Sequence, residues 1–116
     1  ITPLGAIVCA APVNSLTIER IPLNGNDNRP ALPLSFFQQN LVFDLSPQAA
    51  DLRNVLIFHG DQDKTVPLEN GYTLYNRAKP PKKILVLKDG DHQMSNIDDQ
   101  MMFEVEVLEW LKNTFL

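Results

Sequence analysis

The chain has a single cysteine, Cys9, so it cannot form a disulfide within itself. It also has no Asn-x-Ser/Thr sequon, and together these absences read as a cytoplasmic protein. Basic residues are few: ten Lys and Arg against fourteen Asp and Glu give a formal net charge of −4. Binding nucleic acid or an anionic membrane surface needs clustered Lys and Arg, so both partner classes are excluded. No apolar run approaches the roughly 18 residues that span a bilayer. The first ten residues lack the basic and long apolar segments of a signal peptide. An initiating Met is absent as well, and the chain starting at Ile1 is expected to be a fragment or a processed product.

What is present is the composition of one ordinary globular domain: 116 residues, 44% hydrophobic and 21% charged. Three short apolar runs read as strands, at about residues 5–10 (GAIVCA), 55–59 (VLIFH) and 84–88 (ILVLK). They are near-continuous rather than alternating, the pattern of parallel strands covered by helices on both faces. Between the second and third, Leu68, Tyr72, Tyr75 and Ala78 fall at helical spacing behind Pro67, which completes a βαβ unit. Gly71 inside that helix costs about 1 kcal/mol relative to Ala, so packing must compensate. A last helix is expected over 98–115, with Met101, Val105, Leu108, Leu111 and Phe115 on the face that covers the sheet and Phe103, Val107 and Trp110 widening it.

Residues 14–53 differ in kind. The run NGNDNRPALP is rich in turn formers. Ser35 with Gln38 resembles a capping box for a helix over 36–43, and Ser46-Pro47 opens another through Leu52. The whole stretch reads as a cap-like excursion between the first two strands. A sheet of three parallel strands leaves both edges unpaired, so the architecture reads as an α/β, three-layer but partial fold, completed by self-association or by a missing N-terminal half.

The stretch 55–75, VLIFHGDQDKTVPLENGYTLY, followed by 84–96, ILVLKDGDHQMSN, resembles the α/β-hydrolase family. The turn after that family's acid-bearing strand, Gly-x-x-Asp-x-x-Val-Pro, stands here as Gly60, Asp63, Val66 and Pro67. The resemblance implies that Asp63 is the catalytic acid and that His92, in the Gly90-Asp91-His92 loop, is the catalytic histidine. It also implies a serine hydrolase of small esterase, dienelactone-hydrolase or acyl-peptidase type, acting on carboxylic esters or related acyl substrates.

A physical argument points the same way. Both residues follow the C-terminal ends of adjacent parallel strands, where open α/β sheets place ligands. A carboxylate accepting from one imidazole nitrogen leaves the other as a base.

No nucleophile accompanies them. In this family the order is nucleophile, acid, histidine, yet Ser15, Ser35 and Ser46 are the serines before Asp63 and none lies in a Gly-x-Ser-x-Gly elbow. The resemblance puts the missing serine, with the oxyanion donors, upstream of Ile1, so this polypeptide alone is expected to be inactive.

Plainer readings stand beside these. Asp63 also reads as a turn former capping the next helix, His92 as a surface-loop histidine, and His59 as a structural residue at a strand end. Cys9, in an apolar strand without a nearby cation, reads as a small hydrophobe rather than a nucleophile. Met94, Met101 and Met102 read as core filler and pocket lining, and KPPKK (79–83) as a solvated turn. The acidic loop starting at Asp61 fails as an EF-hand, with Val66 at its sixth position and Tyr72 at its twelfth. No cofactor is implied: AAPVNSL after the first strand lacks the glycine-rich phosphate loop that a flavodoxin-like domain would carry. The rival from another class is a non-catalytic binding or assembly module whose open sheet edge a partner completes.

Overall fold

Every residue of the strand Val55–Gly60 is buried, because it is the middle strand of a parallel sheet with helices on either side. The computed structural model describes residues 3–15, 31, 33–40 and 42–116. In chain order the elements are β1 (Ala6–Cys9), α1 (Leu34–Asn40), α2 (Ser46–Ala49), β2 (Val55–Gly60), α3 (Glu69–Arg77), β3 (Lys82–Leu87) and α4 (Ile97–Phe115). The strands lie in the order β1-β2-β3, all parallel, with Ala6 opposite Val55 and Val55 opposite Lys82.

Alternation along β2 divides the core in two. Val55 and Ile57 point into one layer with Val13, Ala49, Leu74 and Ala78. Leu56 and Phe58 point into the other, with Leu87 and the partly buried Phe103, Val107 and Trp110 of α4. The rings of Phe58 and Phe103 meet at 4.7 Å between centroids, tilted 60°. Burying each large apolar side chain of β2 contributes about 1.5–3 kcal/mol.

Four expectations need correction. First, β1 is not buried on both faces: Ala6 and Val8 are half-buried against the α2–α3 layer, while Ile7 is 38% exposed and Cys9 is exposed, because an open hollow separates Ile7 from the end of α4. Secondly, the face of α4 that meets the sheet is Phe103–Val107–Trp110, while Met101, Val105 and Leu108 are 61%, 64% and 59% exposed. Both faces of that helix are apolar, and the aromatic one won. Met101 is thereby surface, whereas Met94 packs against the core.

Thirdly, α3 turns Asn70, Gly71 and Leu74 inward, while Tyr72 is 45% exposed. Small residues let this helix approach β2. Finally, β3 begins at Lys82, two residues early, so Lys82 and Lys83 belong to the strand and only residues 79–81 form the exposed turn before it. Lys82 Nζ donates to the Tyr75 carbonyl at 2.7 Å and lies 4.6 Å over the Tyr75 ring, and Lys83 pairs with Glu106.

Much of the cap-like excursion, residues 16–30, 32 and 41, lies outside the described residues. Where it is described, Ser35 lies inside α1 rather than at its cap. α2 stops at Ala49, but three-residue backbone bonds carry the turn on to Leu52. Asp44 accepts from both the amide and the hydroxyl of Ser46, so it fills the role expected of the serine. Among the described residues no helix is long and apolar enough to cross a membrane.

Candidate active site at the C-terminal ends of the strands

β2 and β3 deliver two loops to one end of the sheet, and backbone contacts join those loops. Asp61 N donates to the Leu87 carbonyl at 3.0 Å and Gln62 N to the Gly90 carbonyl at 3.0 Å. Asp61 Oδ1 accepts from Asp89 N at 2.7 Å. The crossing point needs glycine on both sides. A Cβ on Gly60 would lie 2.1 Å from the Gly90 carbonyl oxygen, and one on Gly90 would lie 2.7 Å from Leu87 Cβ.

This crossing sets Asp63 against His92. His92 Nδ1 lies 2.9 Å from Asp63 Oδ2, with the Asp63 side chain fully covered and the His92 side chain 38% exposed. The other carboxylate oxygen, Oδ1, accepts from Thr65 N at 2.9 Å and Val66 N at 2.8 Å. Asp63 therefore closes its own turn with one oxygen and holds the histidine with the other. It does not cap α3, whose N-cap residue Leu68 makes no side-chain cap bond. An imidazole donating from Nδ1 keeps Nε2 as the nitrogen that can accept a proton.

The His92 loop is shaped by Asp91, whose Oδ1 accepts from Ser95 N at 2.8 Å and Oδ2 from Ser95 Oγ at 2.6 Å. The Ser95 hydroxyl, then its amide, holds the Asp91 carboxyl below the usual carboxylate range. A folded-state pKa below the unfolded one means stability that is present above the ordinary carboxylate pKa and lost as pH falls through the folded value. Ser95→Ala is expected to raise the Asp91 pKa and flatten the acid limb of stability against pH. An unchanged Asp91 carboxyl titration by NMR would contradict this.

Beside the pair, a cleft of about 440 Å³ is lined by Gln62, Lys64, Thr65, Asp91, His92 and Gln93. A second hollow of about 200 Å³ runs from His92 to Cys9, Ala10, Phe58 and Met94. Ala10 and Met94 both have positive φ, 46° and 51°, a left-handed backbone that costs a residue with a Cβ about 1–2 kcal/mol. Strain of this kind concentrates where the chain is shaped for a site. Partial burial of the sulfur pushes the Cys9 thiol pKa up, which disfavours the thiolate.

Three of the four serine hydroxyls are occupied elsewhere. Those of Ser15, Ser46 and Ser95 donate to Phe43, Asp44 and Asp91. Among the described residues no group of three or more His, Cys, Asp or Glu side chains is placed to hold a metal. His59 takes the structural place that its position at a strand end suggests. It is 1% exposed, and its Nε2 lies 2.8 Å from the Val66 carbonyl and 3.6 Å from Asp63 Oδ2. Its place four residues before Asp63, at the end of the acid-bearing strand, was the available signal.

No family model matches the chain. The esterase domain of a Rhodothermus marinus protein superposes on 92% of the chain with a TM-score of 0.64 at 22% identity, and the chain covers 48% of that domain. A bromoperoxidase from Bacillus anthracis superposes on 61% of it with a TM-score of 0.52 at 30% identity, with 26% of that chain covered. In sequence, the uncharacterized protein YfhR of Escherichia coli (strain K12) is 31% identical over 58 residues, which is 50% of this chain. The chain thus spans about half of the esterase domain it resembles, and the matched segment spans 19% of YfhR. A parallel sheet flanked by helices, overlaid on these structures, shows that the chain has part of the α/β-hydrolase fold.

Proposed function

We propose that the chain supplies the acid and the histidine of a Ser-Asp-His hydrolase that cleaves carboxylic esters or related acyl compounds. The supporting observation is the 2.9 Å contact between His92 Nδ1 and the covered Asp63 carboxylate, at the C-terminal edge of parallel strands. In this reading His92 Nε2 takes the proton of a serine hydroxyl as its oxygen attacks the acyl carbon. Asp63 stabilises the resulting imidazolium, which then returns the proton to the departing alcohol oxygen. Water repeats the sequence and frees the acid. The serine and the oxyanion donors come from a segment upstream of Ile1, residues 14–53 form part of the cap over the substrate, and the enzyme works in the cytoplasm.

The test is to treat the protein, in extract from its native source, with a fluorophosphonate that labels activated serines. Labelling of a polypeptide that contains these 116 residues, abolished by His92→Gln, is the expected result. A polypeptide carrying them that stays unlabelled while a control hydrolase reacts overturns the reading.

One feature favours the assembly-module alternative: Ile97, Met101, Val105 and Leu108 form an exposed apolar stripe along α4, at 64%, 61%, 64% and 59% exposure. Contiguous apolar surface of this kind marks a contact face. The 116-residue chain by itself is expected to associate in solution. A monomer by light scattering at tens of micromolar would remove that reading.

A further inference from the structure

Beneath the acid turn lies a buried polar group that the proposed chemistry does not use. His59 precedes the last residue of β2, on the α3 side of the sheet, and is 1% exposed. Its Nε2 is 2.8 Å from the Val66 carbonyl, so the ring proton is on Nε2 and donates there. The same nitrogen is 3.6 Å from Asp63 Oδ2, too far for a hydrogen bond but close enough for Coulomb attraction inside a low-dielectric interior. The other nitrogen, Nδ1, is buried without a hydrogen-bond partner. α3 closes over it: a Cβ on Gly71 would lie 3.1 Å from Nδ1 and 3.2 Å from His59 Cβ.

Leaving a buried ring nitrogen unpaired costs stability, because its hydrogen bond to water is lost and not replaced. A phenylalanine or leucine in the same space would avoid that cost, so the Nε2–H bond is what offsets it. That bond completes a closed arrangement. Asp63 Oδ1 binds the amides of Thr65 and Val66, and the carbonyl of Val66 is tied back to β2 through His59. With the turn fixed at both ends, Oδ2 is left aimed at His92 Nδ1.

We infer that His59 is a positioning residue for the Asp63–His92 pair: it anchors the acid turn through Nε2–H and presents that dipole to the Asp63 carboxylate. The inference rests on the proposed role of Asp63 and His92. Its test reads the His92 ring directly and needs no turnover.

In the 15N-labelled full chain, the His92 Nδ1–H proton resonance and its exchange with water are compared in the parent, His59→Phe and His59→Gln. Glutamine carries a donor near the position of Nε2 and phenylalanine carries none. Exchange is expected to quicken about tenfold or more in His59→Phe, the scale of a lost supporting hydrogen bond, and to return toward the parent value in His59→Gln. A folded His59→Phe chain with an unchanged His92 signal and exchange rate overturns the inference and assigns His59 to packing.

Should His59→Phe fail to fold, Gly71→Ala decides. It keeps the donor but presses on the ring from α3, so it is expected to shift the His92 Nδ1–H resonance, and an unshifted resonance overturns the inference. Failure of the hydrolase reading is seen separately, as absent fluorophosphonate labelling.

Discussion

Asp63→Asn is expected to lower kcat of the hydrolase by about 10⁴-fold with little change in KM. The asparagine Oδ1 can still accept from the amides of Thr65 and Val66, so the turn survives. Its Nδ2 then faces His92 Nδ1 at the position where Oδ2 stood, 2.9 Å away. An amide donates there instead of accepting. The imidazole is forced to carry its proton on Nε2, the atom that must take the serine proton, and the base is lost without loss of the fold. The check is steady-state kinetics on a chromogenic ester, with the melting temperature measured in parallel. A variant that keeps more than a tenth of the parent kcat would show that Asp63 is only a turn former.

The second large effect concerns stability. Gly60→Ala places a methyl group 2.1 Å from the Gly90 carbonyl oxygen and 2.5 Å from its carbon. Both are backbone atoms, so no side-chain rotation relieves the clash and the two loops must part. The expected cost is about 3 kcal/mol or more, at or beyond the upper end of ordinary overpacking. Parting the loops also breaks the Gln62 N to Gly90 O bond and separates Asp63 from His92. Urea denaturation measures the first consequence and ester hydrolysis the second. Gly71→Ala is the control: its methyl meets a side chain at 3.1 Å rather than backbone, and the gain in helix propensity of about 1 kcal/mol offsets much of the crowding. Equal stability losses in the two variants would mean that the loop crossing has no special importance.

These two residues also show what the sequence makes legible. The apolar runs around Val55–Phe58 and Ile84–Leu87, with turn chemistry between them, specify a βαβ unit because buried parallel strands have no polar face to disguise them. That Asp63 and His92 meet was readable for the same reason, since the ends of adjacent strands can be counted. The face of α4 was not readable. Met101, Val105 and Leu108 satisfy the helical period as well as Phe103, Val107 and Trp110 do, and only the shape of the sheet beneath, with Phe58 and Leu85 exposed to it, selects between them.

The start of β3 was missed because lysines are poor strand signals by composition. Their ammonium groups are nevertheless taken up, at the Tyr75 carbonyl for Lys82 and at Glu106 for Lys83. His59 gives no periodic signal at all. A lone histidine before a glycine acquires meaning only when the Val66 carbonyl and Asp63 are placed around it in space.

The Gly60–Gly90 crossing also bears on how such an enzyme could be divided. Asp63 and His92 belong to one uninterrupted stretch from Val55 to His92, joined by neighbouring strands and backbone bonds within that stretch. The two residues stand 29 apart in sequence, with only the β2–α3–β3 unit between them. A gene split ahead of β2 would therefore leave the histidine already held by the Asp63 carboxylate on one polypeptide, and a second polypeptide would need to bring β1 with the proposed nucleophile and oxyanion donors. Activity would then rise and fall with the docking of the two pieces, which makes this stretch a natural half of a complementation sensor.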